Sequence, residues 1–308
     1  MANNLEINII IDWGFTRLKI WSIDNRNRIV NECVKYTYEI TDNLEFYDKE
    51  SLVKLSSFIY KFIMKYPYRY KNISIYSSCQ MHGIAGFLQN KGPFFSTWSD
   101  FPGNYQKNKI INTYNGIPIL LSMPCYKVIL ELNEYYLSTK FIHSKYGIDK
   151  ILIKCFSTPI QLIFSLLSKR FRLISLDYWE TTCLPNGYID KSRNKEKNNY
   201  EILNNNKKIY LRNNLKVFLY PEIGDLQAAT AGALQISDIV INLGTGSQVI
   251  IKDKDIFSFG FYRSYKQFEF PTVISHIPCG KLLTDYSENK RISYSTLLKT
   301  LELLTPLE

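Results

Sequence analysis

The chain has 308 residues, with 38 Lys and Arg against 28 Asp and Glu, giving a net charge of +10 with histidine neutral. Hydrophobic residues make up 45% and charged residues 21%, enough apolar material for one large domain or two ordinary ones; disordered, collagenous and fibrous classes are excluded. The positive charge is densest over residues 191–214, which read as a solvated loop or hairpin edge, and no recognised module accompanies it, so nucleic acid is not an expected partner.

Residues 7–11 form an apolar run that stops at the carboxylate of Asp12 with no basic segment ahead of it, which does not read as a signal peptide. The other apolar stretches, 117–123 and 239–243, fall well short of the roughly 20 residues that span a bilayer. A soluble, cytoplasmic protein with no membrane partner is the expectation. After Asp12 come a Gly-containing turn at Trp13-Gly14-Phe15-Thr16, an alternating strand over 17–24, the polar reversal Asn25-Arg26-Asn27 and a third strand from Ile29. The result is a β-hairpin whose first turn is flanked by Asp12 and Lys19.

Leu52, Leu55, Phe58, Ile59, Phe62 and Ile63 recur at helical spacing, predicting a helix over 51–65. A strand over 73–78 then runs into Cys79-Gln80-Met81-His82-Gly83. Polar side chains thus sit at a strand's C-terminal end, where open α/β sheets bind ligands. Helices are predicted over 123–137, with Pro124 acceptable in the first turn, and over 159–167, with a short strand over 151–154 between them. Asp225 opens an Ala-rich helix over 226–234, and a strand over 239–243 ends at Gly244-Thr245-Gly246. Strands and helices alternate, so the class is α/β.

Cys33, Cys79, Cys125, Cys155, Cys183 and Cys279 are scattered without a C-x-x-C pair, and free thiols are expected. His82, His143 and His276 are too dispersed for a zinc signature; no structural metal site is expected.

Four groups of residues carry chemistry, and each has a plainer reading. Asp12-x-Gly14-x-Thr16-x-x-Lys19 suits phosphate held by turn N–H groups with a carboxylate for Mg²⁺, or is an ordinary hairpin with a polar turn. Leu243-Gly244-Thr245-Gly246-Ser247 is either a second phosphate cradle or a turn that uses glycine for its φ freedom. Gly224-Asp225-Leu226-Gln227-Ala228-Ala229 places a carboxylate before a helix, where it is a cap or a general base for an attacking hydroxyl. Gln80-Met81-His82-Gly83 and Trp98-Ser99-Asp100 offer amide, imidazole, indole and carboxylate to a polyhydroxylated substrate, or are satisfied structural residues.

Taken in order along nearly the whole chain, these groups, with Thr97 before Trp98 and Val240-Ile241-Asn242 before the second turn, resemble the FGGY carbohydrate kinases of the actin-like ATPase superfamily, with the sedoheptulokinases as the nearest match. The resemblance implies an actin-like, ribonuclease H-like α/β fold. Its first domain is complete over residues 1–235, for sugar binding and catalysis; the second, nucleotide-binding domain is partial over 236–308. It implies ATP and Mg²⁺ as cofactors, with Asp225 as catalytic base and Asp12 orienting the metal. Gly14, Thr16, Gly244, Thr245 and Gly246 fall to the phosphates, Lys19 to stabilising the first turn, and Gln80, His82, Trp98 and Asp100 to the sugar pocket.

The expected activity is phosphorylation of a ketose, a sedoheptulose-like heptose or xylulose. The alternative is an inactive, truncated sugar-binding remnant. Phe15 stands where relatives usually have Ser or Thr, Arg17 where they have a small residue, and Pro102 where many have Arg; no glycine follows Gly280. Relatives normally continue past the equivalent of Glu308, so a partner chain that supplies the rest is a further expectation.

Overall fold

The computed structural model describes residues 5–100, 113–114, 117–118, 127–132, 134–168, 173–175, 201–203, 205–242, 247–251, 261–265, 268–277, 289–291 and 293. The chain divides into two compact units, Met1–Ala228 and Ala229–Glu308.

The first unit begins with the expected meander: β1 (Glu6–Trp13), β2 (Arg17–Asp24) and β3 (Ile29–Tyr36). In β1 every second residue (Ile7, Ile9, Ile11, Trp13) is fully buried, the period-two signature of a strand with one face on the core. After β4 (Phe46–Tyr47), helix α1 (Lys49–Ile63) starts where Asp48 accepts the N–H of Ser51 at 3.1 Å, an N-cap. Its apolar stripe, Leu52, Leu55, Ile59, Phe62 and Ile63, lies in the main core. Each such side chain contributes roughly 1.5–3 kcal/mol by leaving water.

β5 (Asn72–Cys79) pairs parallel with β1 and, on its other side, parallel with β16 (Lys216–Gly224). With β15 (Lys207–Tyr210) at the edge, the sheet runs β15-β16-β5-β1-β2-β3. The β15 edge strand falls within the lysine-rich stretch expected to be a hairpin edge. β16 carries a bulge: Phe218 and Leu219 pair with Ser74 and Ile75, but Glu222 pairs with Ser77, so Tyr220 and Pro221 together face Tyr76. Pro221 has no N–H to give a ladder, which suits it to this place.

Between β5 and β16 the chain builds a second, antiparallel sheet. β6 (Ile84–Leu88), β7 (Gly92–Ser96), β10 (Val128–Glu131), β11 (Glu134–Leu137) and β12 (Ile151–Ser157) join β4 in the order β10-β11-β12-β6-β7-β4. β8 (Thr113–Tyr114) and β9 (Ile117–Pro118) form a ribbon, as do β13 (Leu173–Ser175) and β14 (Glu201–Leu203). The second sheet has its own core, including Phe46, Ile84, Phe94, Val128, Leu137 and Phe156. Helix α2 (Lys140–Tyr146) adds Ile142 to that core, and helix α3 (Pro159–Ser168), buried along almost its whole length, belongs to the main core with α1.

One expectation is corrected here. The expected helix over 123–137 does not extend through residues 128–137: from Val128 to Leu137 the chain is the hairpin β10–β11, turning at Leu132 with φ +49°. Tyr136 and Leu137 pair with Leu152 and Ile151 of β12, so ladder hydrogen bonds and the burial of Val128 and Leu137 override the apolar spacing. Residues 123–126 lie outside the described set.

The second unit contains most of α4 (Asp225–Ala233) and an antiparallel sheet in the order β17-β18-β20-β19. These strands are β17 (Ile239–Asn242), β18 (Ser247–Ile251), β19 (Phe261–Tyr265) and β20 (Phe268–Ile277). No helix among the described residues is long and apolar enough to cross a membrane.

Candidate active site

Three adjacent parallel strands end together. Trp13 of β1 pairs with Cys79 of β5, and Cys79 pairs with Gly224 of β16. Asp12, Gln80 and Asp225, widely separated in sequence, are thereby delivered to one edge, the carboxyl end of the sheet.

Asp12 is held on both oxygens. Ser78 donates its hydroxyl to Oδ1 at 2.9 Å and Lys19 lies 3.2 Å from Oδ2. The Lys19 contact follows from the hairpin register, which sets Asp12 opposite Lys19. In the turn itself the N–H of Gly14 donates to the carbonyl of Arg17, and the carbonyl of Thr16, an exposed residue, accepts the N–H of Thr37.

Asp225 opens α4. Its Oδ1 accepts the N–H of Leu226 at 2.8 Å, and the N–H of Met81 donates to the same carboxylate. Burial pushes the Asp225 carboxyl up to about 6, helped by the charge of Asp12 and opposed by those N–H groups. The bond from the Leu226 N–H fits the cap reading and the raised carboxyl is compatible with the base reading, so the two are not exclusive.

Gly224 allows this approach. A Cβ there would lie 2.8 Å from both Gln227 Oε1 and Met81 Cγ, and the Gly224 N–H donates to that same Gln227 oxygen at 2.5 Å.

The β5–β6 loop is tied to β1 through the N–H of Gln80, which donates to the carbonyl of Trp13 at 2.9 Å. Gln80 is buried and His82 half-buried, with the backbone of His82 left-handed at φ +62°. Trp98 is half-buried, and its ring meets Phe15 of the β1–β2 turn. Asp100 is fully buried in the second sheet's side of the unit, hydrogen-bonded to Ser96 Oγ and to the N–H of Phe141. Leu243, Gly244, Thr245 and Gly246, along with Pro102 and Gly280, lie outside the described residues.

Four contributors escaped sequence reasoning. Ser78 and the Met81 N–H grip the two aspartates. Lys127 is a fully buried cation whose amine donates to Ser96 Oγ at 3.2 Å. Glu222 of β16 is a fully buried carboxylate whose Oε2 accepts the N–H groups of Ile160 and Gln161 in the first turn of α3, at 3.0 and 3.3 Å. Burial drives Glu222 up to about 8 against those N–H groups and the Thr158 hydroxyl. Only Ser78, at a strand's polar C-terminal end, left a signal in the sequence. Burial and then the charges of Glu222, Asp225 and Asp12 raise the Cys79 thiol well above the usual range, which disfavours its thiolate.

No protein-family model and no curated protein sequence matches the chain. Solved structures do. Ligand-bound xylulose kinase from Lactobacillus acidophilus is 16% identical over 98% of this chain and 66% of its own, with a TM-score of 0.63. Gluconate kinase from the same organism is 17% identical over 92% and 62%, TM-score 0.60. Plasmodium falciparum glycerol kinase with ADP is 16% identical over 93% and 64%, TM-score 0.58. The chain therefore has the α/β fold of the actin-like ATPases as sugar kinases carry it, and spans just under two thirds of the length of these structures.

Proposed function

We propose that this chain transfers the γ-phosphoryl group of ATP to a hydroxyl of a ketose, with a sedoheptulose-like heptose or xylulose as acceptor. The observation that carries the reading is the carboxylate of Asp225 at the end of β16, raised to about 6 beside Asp12 and gripped by the Met81 N–H of the Gln/His loop. Such a group is ionised at neutral pH yet basic enough to take the proton of an attacking hydroxyl. The new P–O bond forms as the bond to the ADP oxygen breaks, and the hydroxyl proton passes to Asp225.

The residues present fit a Mg²⁺ ion. That cation takes one or two protein carboxylates and completes its shell with water and phosphate oxygens, and the repulsion between Asp12 and Asp225 is what a divalent cation would relieve. Asp12 would hold it, steadied by Ser78 and Lys19; when bound, the ion neutralises charge on the transferring group. Thr16 and Gly14, with Gly244, Thr245 and Gly246 from the second turn, would meet the phosphates, while Gln80, His82 and Trp98 face the sugar. Residues 1–235 then serve sugar binding and catalysis, and residues 236–308 the nucleotide.

A coupled assay of ADP release with Mg-ATP across ketoses and polyols tests the reading. Turnover on a ketose is expected. No turnover on any of them, with circular dichroism showing a folded protein, overturns it.

A further inference from the structure

Asp100 lies in the four-residue turn 97–100 that follows β7, and its surroundings are wholly protein. Ser96, Thr97, Asp100 and Lys127 each have 0% exposure. Ser96 Oγ donates to Asp100 Oδ2 at 3.0 Å, the N–H of Phe141 donates to Oδ1 at 3.2 Å, and the Thr139 hydroxyl supplies a further bond. The Lys127 amine donates to Ser96 Oγ and to the carbonyl of Thr97. The N–H and hydroxyl of Thr97 both donate to the carbonyl of Glu45. The turn is therefore fastened at once from Glu45 just before β4, from Lys127 just before β10, and from α2. Trp98, its one large side chain, stays half-buried with its ring against Phe15.

We propose that Asp100 and Lys127, buried charges linked through the Ser96 hydroxyl rather than by a direct ion pair, together fix the orientation of Trp98, and that Asp100 is a positioning residue which does not itself touch the sugar. The proposal rests on the reading of Trp98 as a wall of the sugar pocket. A buried charge pair contributes little net stability, because desolvation offsets its attraction, but it penalises every arrangement in which either charge loses its partner. That penalty selects one conformation of the turn. Burial holds the Lys127 amine down at about 7 and pushes the Asp100 carboxyl up, so each depends on the other to remain charged.

The test uses Lys127→Met, Asp100→Asn and the double variant. Lys127→Met alone leaves a carboxylate buried without its cation; the double variant buries no charge, so its folding is secure against that loss. Iodide quenching of Trp98, isolated from the other three tryptophans by difference against Trp98→Phe, reads the turn directly. The expected result is increased quenching in all three variants and a ketose KM raised roughly 10- to 100-fold with kcat changed far less, as misplacement of a substrate-orienting group produces. The double variant should be no worse than the worse single, because both substitutions break one device.

Wild-type quenching in the folded double variant overturns the proposal. So does a double variant whose KM is the product of the two single effects, which would make Asp100 an independent sugar contact. If quenching rises in the variants while wild-type protein turns over no ketose, the kinase reading fails and the positioning role stands.

Discussion

The ring of Phe15 sits 5.2 Å from that of Trp98, inclined at 50°, so the turn proposed for phosphate touches the loop proposed for sugar. Phe15→Ser removes this contact and opens space in the turn. The sugar KM should rise roughly 2- to 10-fold, matching the loss of an aromatic pair worth about 0.5–1.5 kcal/mol, while the KM for Mg-ATP falls. Initial-rate kinetics with each substrate varied in turn checks both; parallel changes in the two constants would contradict the division of labour.

Asp225→Asn separates rate from stability. It should keep the fold, since Asn caps a helix about as well as Asp, yet lower kcat by roughly 10²- to 10⁴-fold. The wild-type carboxyl titrates near 6 when folded against 3.8 as its ordinary value. Its favourable contribution is thus fully present below about pH 4 and lost as pH rises through 6. At pH 7.5 the Asn variant should therefore melt higher, by an amount on the order of 1–3 kcal/mol. The wild-type kcat/KM should show an acid limb near pH 6. Thermal melts and a pH–rate profile measure these outcomes, and a variant with most of the wild-type rate reduces Asp225 to a cap.

Glu222 predicts an alkaline loss of stability. Its folded value of about 8 lies above the ordinary 4.5, so the stabilisation present at low pH disappears as pH rises through 8. Glu222→Gln keeps an oxygen for the Ile160 and Gln161 N–H groups and should remove most of that dependence. Glu222→Ala strands both N–H groups and should cost roughly 1–3 kcal/mol for each one left unsatisfied. Melting curves at pH 6 and pH 9 decide, the expected sign being a wild type that falls towards pH 9 while the Gln variant does not.

Gly224→Ala inserts a methyl 2.8 Å from Gln227 Oε1 and Met81 Cγ. Overpacking of this kind costs roughly 1–3 kcal/mol, and displacement of Met81 withdraws an N–H from Asp225. Stability should fall, and the acid limb of the rate profile should move to higher pH because the carboxylate has lost a donor. An unmoved limb would show that the Met81 N–H does not tune the base.

Much of the main sheet was legible because local pattern and tertiary fate agree. Ile7, Ile9 and Ile11 alternate with polar or half-buried neighbours and pair as expected, and Asp48 caps a helix whose apolar stripe faces the core. The stretch ending at Leu137 was not legible: Val128, Ile129, Leu130, Leu132, Tyr135, Tyr136 and Leu137 keep no single period, and pairing with β12 decides their conformation. Lys127 and Glu222 were the least readable. A lone charged residue reads as solvated, and the helix terminus that satisfies Glu222 lies 62 residues away in the chain.

The bulge in β16 has an evolutionary corollary. Up to Leu219 the odd-numbered residues face the core; from Glu222 the even-numbered ones do, because Tyr220 and Pro221 share one rung. Deleting either of those residues would restore a plain ladder, and the residues on one side of the deletion would then exchange faces. Either Val217 and Leu219 leave the core, or Glu222 turns away from α3 and Asp225 is re-aimed. Insertions between β13 and β14 alter no rung of that pair or of β16. Length variation among descendants of this chain should therefore gather between β13 and β14 and spare the nine residues of β16.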